Sequence, residues 1–204
     1  METLAKIIES KLIVKLRPTP NRPILPLLAA LCSGGVYAAE FPMDNPLSAD
    51  AIRSGRKLFP DLILGAGNVM SVSEGEKAIS AGARYLTSPG YSASISQLCR
   101  DYDVLYLPQC TTLSELLAVN ENKLSAVFLF APHLWNAPAL MDAMMAAFPQ
   151  TTFLAYDLSL SSASVLHKHP GFSAAALCGL ESSTPESLVK QCYQITASID
   201  ANDS

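Results

Sequence analysis

The chain has 204 residues, half of them hydrophobic, with a formal net charge of −4 and a pI near 5.3. This length suits one domain with a sizeable core better than two. Only 14 Lys and Arg are present, so no basic patch is expected for nucleic acid. The longest apolar run, Ile24 to Leu31, is too short for a membrane span and is interrupted by Pro26.

A short N-terminal helix is expected over residues 1–11, and its start, Met1-Glu2-Thr3-Leu4, lacks the basic-then-apolar layout of a secretory signal. Apolar runs then recur at Leu12–Leu16, Val36–Phe41, Leu62–Ala66, Arg84–Thr87, Val104–Leu107, Ala126–Ala131, Thr152–Tyr156 and Ala174–Cys178. Between them lie stretches of helical period, such as Ile95, Leu98 and Cys99, or Leu140, Met144 and Met145. Ser73 precedes Glu76 at capping-box spacing, and Ser183-Thr184-Pro185-Glu186 offers a cap with proline in the first turn. Gly34-Gly35 and Gly82 mark helix ends.

Strand–helix alternation with short connections implies a parallel sheet. About eight such units in this length predict an α/β fold, a single (β/α)8 TIM barrel over residues 1–204. Strand and helix units occupy 12–181, and a C-terminal helix and tail occupy 182–204. A doubly wound open sheet is the alternative, but no GxGxxG follows the first strand. Five cysteines, odd in number and without CxxC spacing, read as buried thiols of a reducing, cytoplasmic setting. Three scattered histidines do not suggest a metal site, and no cofactor is expected.

Four motifs stand in order along the chain. Gly34-Gly35-Val36-Tyr37-Ala38-Ala39-Glu40-Phe41-Pro42 leads through the second strand. Gly65-Ala66-Gly67-Asn68-Val69 closes the third, and Ala81-Gly82-Ala83 leads to Thr87-Ser88-Pro89-Gly90 at the fourth. Tyr106-Leu107-Pro108-Gln109-Cys110-Thr111-Thr112-Leu113-Ser114-Glu115 spans the fifth. Together they resemble the 2-keto-3-deoxy-6-phosphogluconate (KDPG) and KDPGal aldolase family, in which the corresponding segments read GG or AG before a strand ending in Glu, GAGTV, AGA…SPG, and PG followed by T-x-S/T-E. The likeness runs from about Leu12 to Glu181.

The resemblance implies a class I aldolase barrel with its site at the carboxyl ends of the strands. Glu40 matches the family's proton-shuttling glutamate. Arg17, expected to end the first strand, suits a bidentate grip on a 2-oxo acid carboxylate, or else pairs with Glu40. Asn68 stands where the family has a threonine that bonds a pyruvyl group, and Thr87 and Pro89 fall in the SPG segment of the substrate pocket. The family is commonly homotrimeric, so self-association is implied too.

Three positions depart from the pattern. Aligning Phe130 with the second aromatic of the family's K-[FI]-F-P puts Phe128 where a lysine forms the Schiff base. A phenyl ring cannot add to a carbonyl. The seventh strand ends Ala155-Tyr156-Asp157-Leu158 and the eighth Cys178-Gly179-Leu180-Glu181, so both phosphate turns lose glycine and gain a carboxylate. Like charges about 4 Å apart repel by several kcal/mol near a protein surface, which disfavours a phosphorylated substrate.

Lys15, two residues before Arg17, is expected on the same inward face. It is either an amine activated by apolar surroundings, replacing the family's lysine, or an ion-pair partner of Glu40. His133 and Trp135 are expected at the mouth, where His133 suits a ligand contact. His167 and His169 precede Pro170 near a helix end and receive no role. Three functional readings follow: a degenerate KDPG aldolase-like protein, non-catalytic or binding a small non-phosphorylated 2-oxo acid; an active aldolase or lyase using Lys15; or a homo-oligomeric scaffold whose mouth is filled by Phe128, Phe130, Tyr156 and Trp135.

Overall fold

Eight parallel strands, each too apolar to leave either face in water, close on themselves in sequence order. They are β1 (Leu12–Lys15), β2 (Ala38–Pro42), β3 (Ile63–Gly67), β4 (Tyr85–Ser88), β5 (Leu105–Cys110), β6 (Ala126–Phe130), β7 (Thr152–Leu158) and β8 (Phe172–Leu177), with β8 pairing back onto β1. The structure, a computed structural model, describes residues 2–130, 138–159, 171–180 and 183–200, with the backbone alone at 138–140, 157 and 198–200. The described helices are α1 (Glu2–Ser10), α2 (Ile24–Ser33), α3 (Ser48–Leu58), α4 (Val72–Ala81), α5 (Ala93–Asp101), α6 (Leu113–Glu121), α7 (Pro138–Ala147) and α8 (Pro185–Asp200). The expected (β/α)8 barrel is therefore the fold, and the open sheet is excluded by closure.

Strand alternation sorts the side chains into two cores. Outward residues such as Val14, Ala39, Leu64, Leu86 and Leu129 pack under the helices. Inward residues such as Ile13, Ile63, Tyr85, Leu107, Phe128 and Leu154 fill the barrel itself. Ile7, fully buried on α1, joins this inner core, and Leu4 packs against it. The Ser10 hydroxyl fixes the end of α1, donating to the Leu12 carbonyl at 3.0 Å and accepting from the Tyr37 N–H at 3.0 Å.

Some boundaries differ from the expected ones. Helix α4 is capped by Ser71, not Ser73: the Ser71 hydroxyl accepts from the Glu74 N–H, and the Glu74 carboxylate accepts from the Met70 N–H at 2.7 Å. Thr184 caps α8 as expected, accepting from the Ser187 N–H at 3.2 Å. Strand β1 ends at Lys15, so Arg17 lies beyond it. The Leu16 N–H still donates to the Glu40 carbonyl, but Pro18 has no N–H with which to extend the ladder.

None of the five cysteines forms a disulfide, with Cys99, Cys110 and Cys192 buried and Cys32 and Cys178 partly exposed, which corrects the expectation of five buried thiols. Burial pushes the Cys99 and Cys110 thiols up to about 12 and Cys192 up to about 11. Each folded-state value is raised, so between pH 9 and 11 the folded chain keeps protons that the unfolded chain releases. Stability should therefore be fully present below pH 9 and fall as pH rises. The slope should approach about 1.4 kcal/mol per pH unit for each of these thiols, measured by urea unfolding at a series of pH values.

One close approach holds the inner core in shape. The Tyr85 ring lies flat against Gly65, where a Cβ would stand 2.1 Å from Tyr85 Cζ, and its hydroxyl donates to the Ala39 carbonyl at 3.1 Å. The ring is held at both ends and cannot give way. Gly65→Ala should cost about 1–3 kcal/mol in urea unfolding, and much less of that cost should remain in a Tyr85→Leu background.

Candidate active site

Strand β2 carries Ala38 and Glu40 inward and Ala39 and Phe41 outward, so its alternation drives a carboxylate into the barrel. Glu40 is 1% exposed. Glycine at the end of β3 makes the room: a Cβ on Gly67 would stand 2.3 Å from Glu40 Oε1. Across the barrel, the Tyr156 hydroxyl donates to the same oxygen at 2.6 Å, the length of a charge-assisted bond. Desolvation first, then the charge of Glu40, pushes the Tyr156 phenol far above its ordinary value, so it remains a fixed proton donor.

Three side chains frame this pair. Phe128, inward on β6 and fully buried, sets its edge against the Tyr156 ring, with centroids 4.8 Å apart and planes at 60°. The Lys15 ammonium, whose residue is in register with Glu40, sits 4.2 Å from the centre of the Tyr156 ring. Such a contact contributes about 0.5–2 kcal/mol and holds the ring's orientation. Thr87, also inward and fully buried, places its hydroxyl near the Tyr156 phenol without forming a well-aligned hydrogen bond among the described residues.

The expected site residues are thus partly gathered. Glu40, Lys15, Thr87 and Phe128 meet around Tyr156, which the sequence had marked only as a filler. Arg17 is not paired with Glu40: its guanidinium makes a bidentate pair with Asp44, at 3.2 and 3.1 Å, in an exposed position. Asn68 is half-buried just past β3, with a φ of +53° that asparagine tolerates well. Pro89 is exposed just past β4. Phe130 stands at the rim, 37% exposed and 6.3 Å from the Tyr156 ring, rather than filling the mouth. His133, Trp135, His167, His169 and Glu181 lie outside the described residues, and for Asp157 only the strand backbone is described.

Sequence reasoning missed two residues. Tyr85 fills the barrel beneath Glu40, and Gln109 enters the mouth from β5, 4% exposed and in register with Phe128. The signal for Gln109 was present, since the family motif has glycine after this proline. Among the described residues no group of three His, Cys, Asp or Glu side chains is placed to hold a metal ion, and no helix is long and apolar enough to cross a membrane.

A closed parallel barrel with acid, phenol and amine converging at the strand ends has the form of a (β/α)8 site. The sequence profile of the KDPG and KHG aldolases matches residues 4–157. The chain is 29% identical over 130 residues to the 2-dehydro-3-deoxy-phosphogluconate aldolase of Treponema pallidum, a match covering 64% of this chain and 62% of that relative's own length. It is 27% identical over 149 residues to the Haemophilus influenzae enzyme of the same name, covering 73% and 70% of the two chains. Among solved structures, a 4-hydroxy-2-oxoglutarate/2-dehydro-3-deoxyphosphogluconate aldolase superposes with a TM-score of 0.89 at 28% identity, over 98% of this chain and 99% of the other. The Legionella pneumophila KDPG aldolase, captured with pyruvate as a covalent carbinolamine, shares the fold at 19% identity and a TM-score of 0.86, over 96% and 98% of the chains. This chain belongs to the KDPG and KHG aldolase family.

Removing the Tyr156 hydroxyl takes a 2.6 Å donor away from a buried carboxylate oxygen. Tyr156→Phe should lower stability by about 1–3 kcal/mol at pH 7. A double-mutant cycle with Glu40→Gln, read by urea unfolding, should show that the two costs are not additive.

Proposed function

We propose that this family member binds a small, non-phosphorylated 2-oxo acid at the Glu40–Tyr156 centre and does not run the standard KDPG aldolase reaction. The observation that carries the reading is Phe128: a fully buried ring, locked edge-on to Tyr156, at the position aligned with the Schiff-base lysine. A phenyl group offers no lone pair for a carbonyl carbon, so covalent capture from β6 is lost. In the sequence, Asp157 and Glu181 align with the family's phosphate turns and bring a carboxylate to each, which disfavours a phosphorylated substrate. Glu40 and Tyr156, bonded to each other at 2.6 Å, give the centre a fixed buried polar pair against which a small keto acid would sit. Assembly as a homotrimer, which rests on family likeness, and a cytoplasmic setting, which rests on the cysteine pattern, belong to this reading.

Lys15 favours a second reading. Its ammonium reaches the same Tyr156 ring, and its residue pairs in register with Glu40, so an amine stands beside the carboxylate that imine formation would call on. The two readings separate when the protein is incubated with pyruvate and borohydride and its intact mass is measured. No stable adduct is expected, while pyruvate should stabilise the fold by RT ln(1 + [L]/Kd), read as a rise in Tm. A reduced adduct mapped to Lys15 would replace the first reading with the second.

A further inference from the structure

Two buried donors at the mouth are left over. Gln109 Nε2 and Thr87 Oγ1 are each buried without a hydrogen-bond partner among the described residues. Gln109 is 4% exposed and Thr87 fully buried. They come from neighbouring strands and the same inward face. Thr87 is in register with Leu107, and Gln109 stands two residues nearer the mouth. Buried N–H and O–H groups without partners are uncommon in folded proteins, because burial removes their water and returns nothing. A glutamine where the family motif has glycine adds this amide specifically to the mouth.

We propose that Gln109, with Thr87, is a specificity-determining donor pair that hydrogen-bonds the ketone oxygen of the bound oxo acid. This deepens the functional reading above and rests on it. An amide N–H and a hydroxyl fit an oxygen that only accepts, and they supply no charge of their own. They therefore discriminate a ketone from a methylene at the same position, whereas a cationic group would respond mainly to the carboxylate. In a barrel whose β6 offers Phe128 in place of an amine, the ketone stays a free carbonyl, and its oxygen needs donors. Glu40 accepts and Tyr156 is committed to Glu40, and among the described residues Gln109 and Thr87 bring uncharged donors to this face.

Selectivity is the test. Isothermal titration of the whole protein with pyruvate and with propionate, which has the carboxylate but no ketone, should show pyruvate preferred in the wild type. In Gln109→Met, nearly equal in volume, that preference should shrink about tenfold, the effect expected from one hydrogen bond lost. Thr87→Val should reduce it in the same direction. The ligand-free Tm of Gln109→Met should not fall below that of the wild type, because no internal hydrogen bond is lost. An unchanged pyruvate-to-propionate ratio in Gln109→Met, or equal binding of the two acids by the wild type, overturns the assignment and leaves oxo-acid binding standing. A lower ligand-free Tm in Gln109→Met means the amide is structural, which also overturns it. Failure of the wild type to bind pyruvate overturns both readings.

Discussion

A carboxylate buried inside a barrel is costly unless something meets it, and the inner architecture of this protein follows from that constraint. Glu40 requires a donor, and Tyr156 supplies it from the opposite side at 2.6 Å. It requires space, and glycine at 67 leaves it. Tyr156 in turn must hold its ring steady to keep its hydroxyl aimed, and Phe128 at its edge and Lys15 on its face do so. The residues that give the mouth its chemistry are thus also those that pack it.

The layering explains why the site lies where it does. Below Glu40 the barrel is filled by apolar side chains and Tyr85, down to Ile7 of α1. At the last inward positions of their strands, Thr87 and Gln109 join Glu40 and Tyr156 as the polar groups of the mouth among the described residues. Fold and site share one period-two rule, with large apolar residues deep and polar residues at the carboxyl ends.

The sequence made the fold legible because strands buried on both faces read as continuous apolar runs, and eight of them recur at even spacing. Helix starts were less legible, since Ser71 and Ser73 offer competing caps and the choice depends on where the Glu74 carboxylate turns. Glu40 was legible from its place at the end of an apolar strand within a family motif. The Arg17–Asp44 pair was not legible because the two residues are 27 apart, and nothing local announces that pairing. Tyr156 and Gln109 were undervalued for a related reason. Tyr156 gains its meaning from Glu40, 116 residues distant, and Gln109 from the absence of a partner, which only packing reveals.

The aromatic stack bears on how readily this barrel could change its chemistry. A lysine introduced at 128 would arrive against the edge of Tyr156 while the ammonium of Lys15 already rests on that ring's face. Two cations would then crowd one phenol and one carboxylate, and each would weaken the other's place. A lineage with this stack is therefore separated from an amine-bearing β6 by at least two coordinated steps, one of them on β1. In evolutionary terms, the Phe128–Tyr156–Lys15 contact acts as a ratchet.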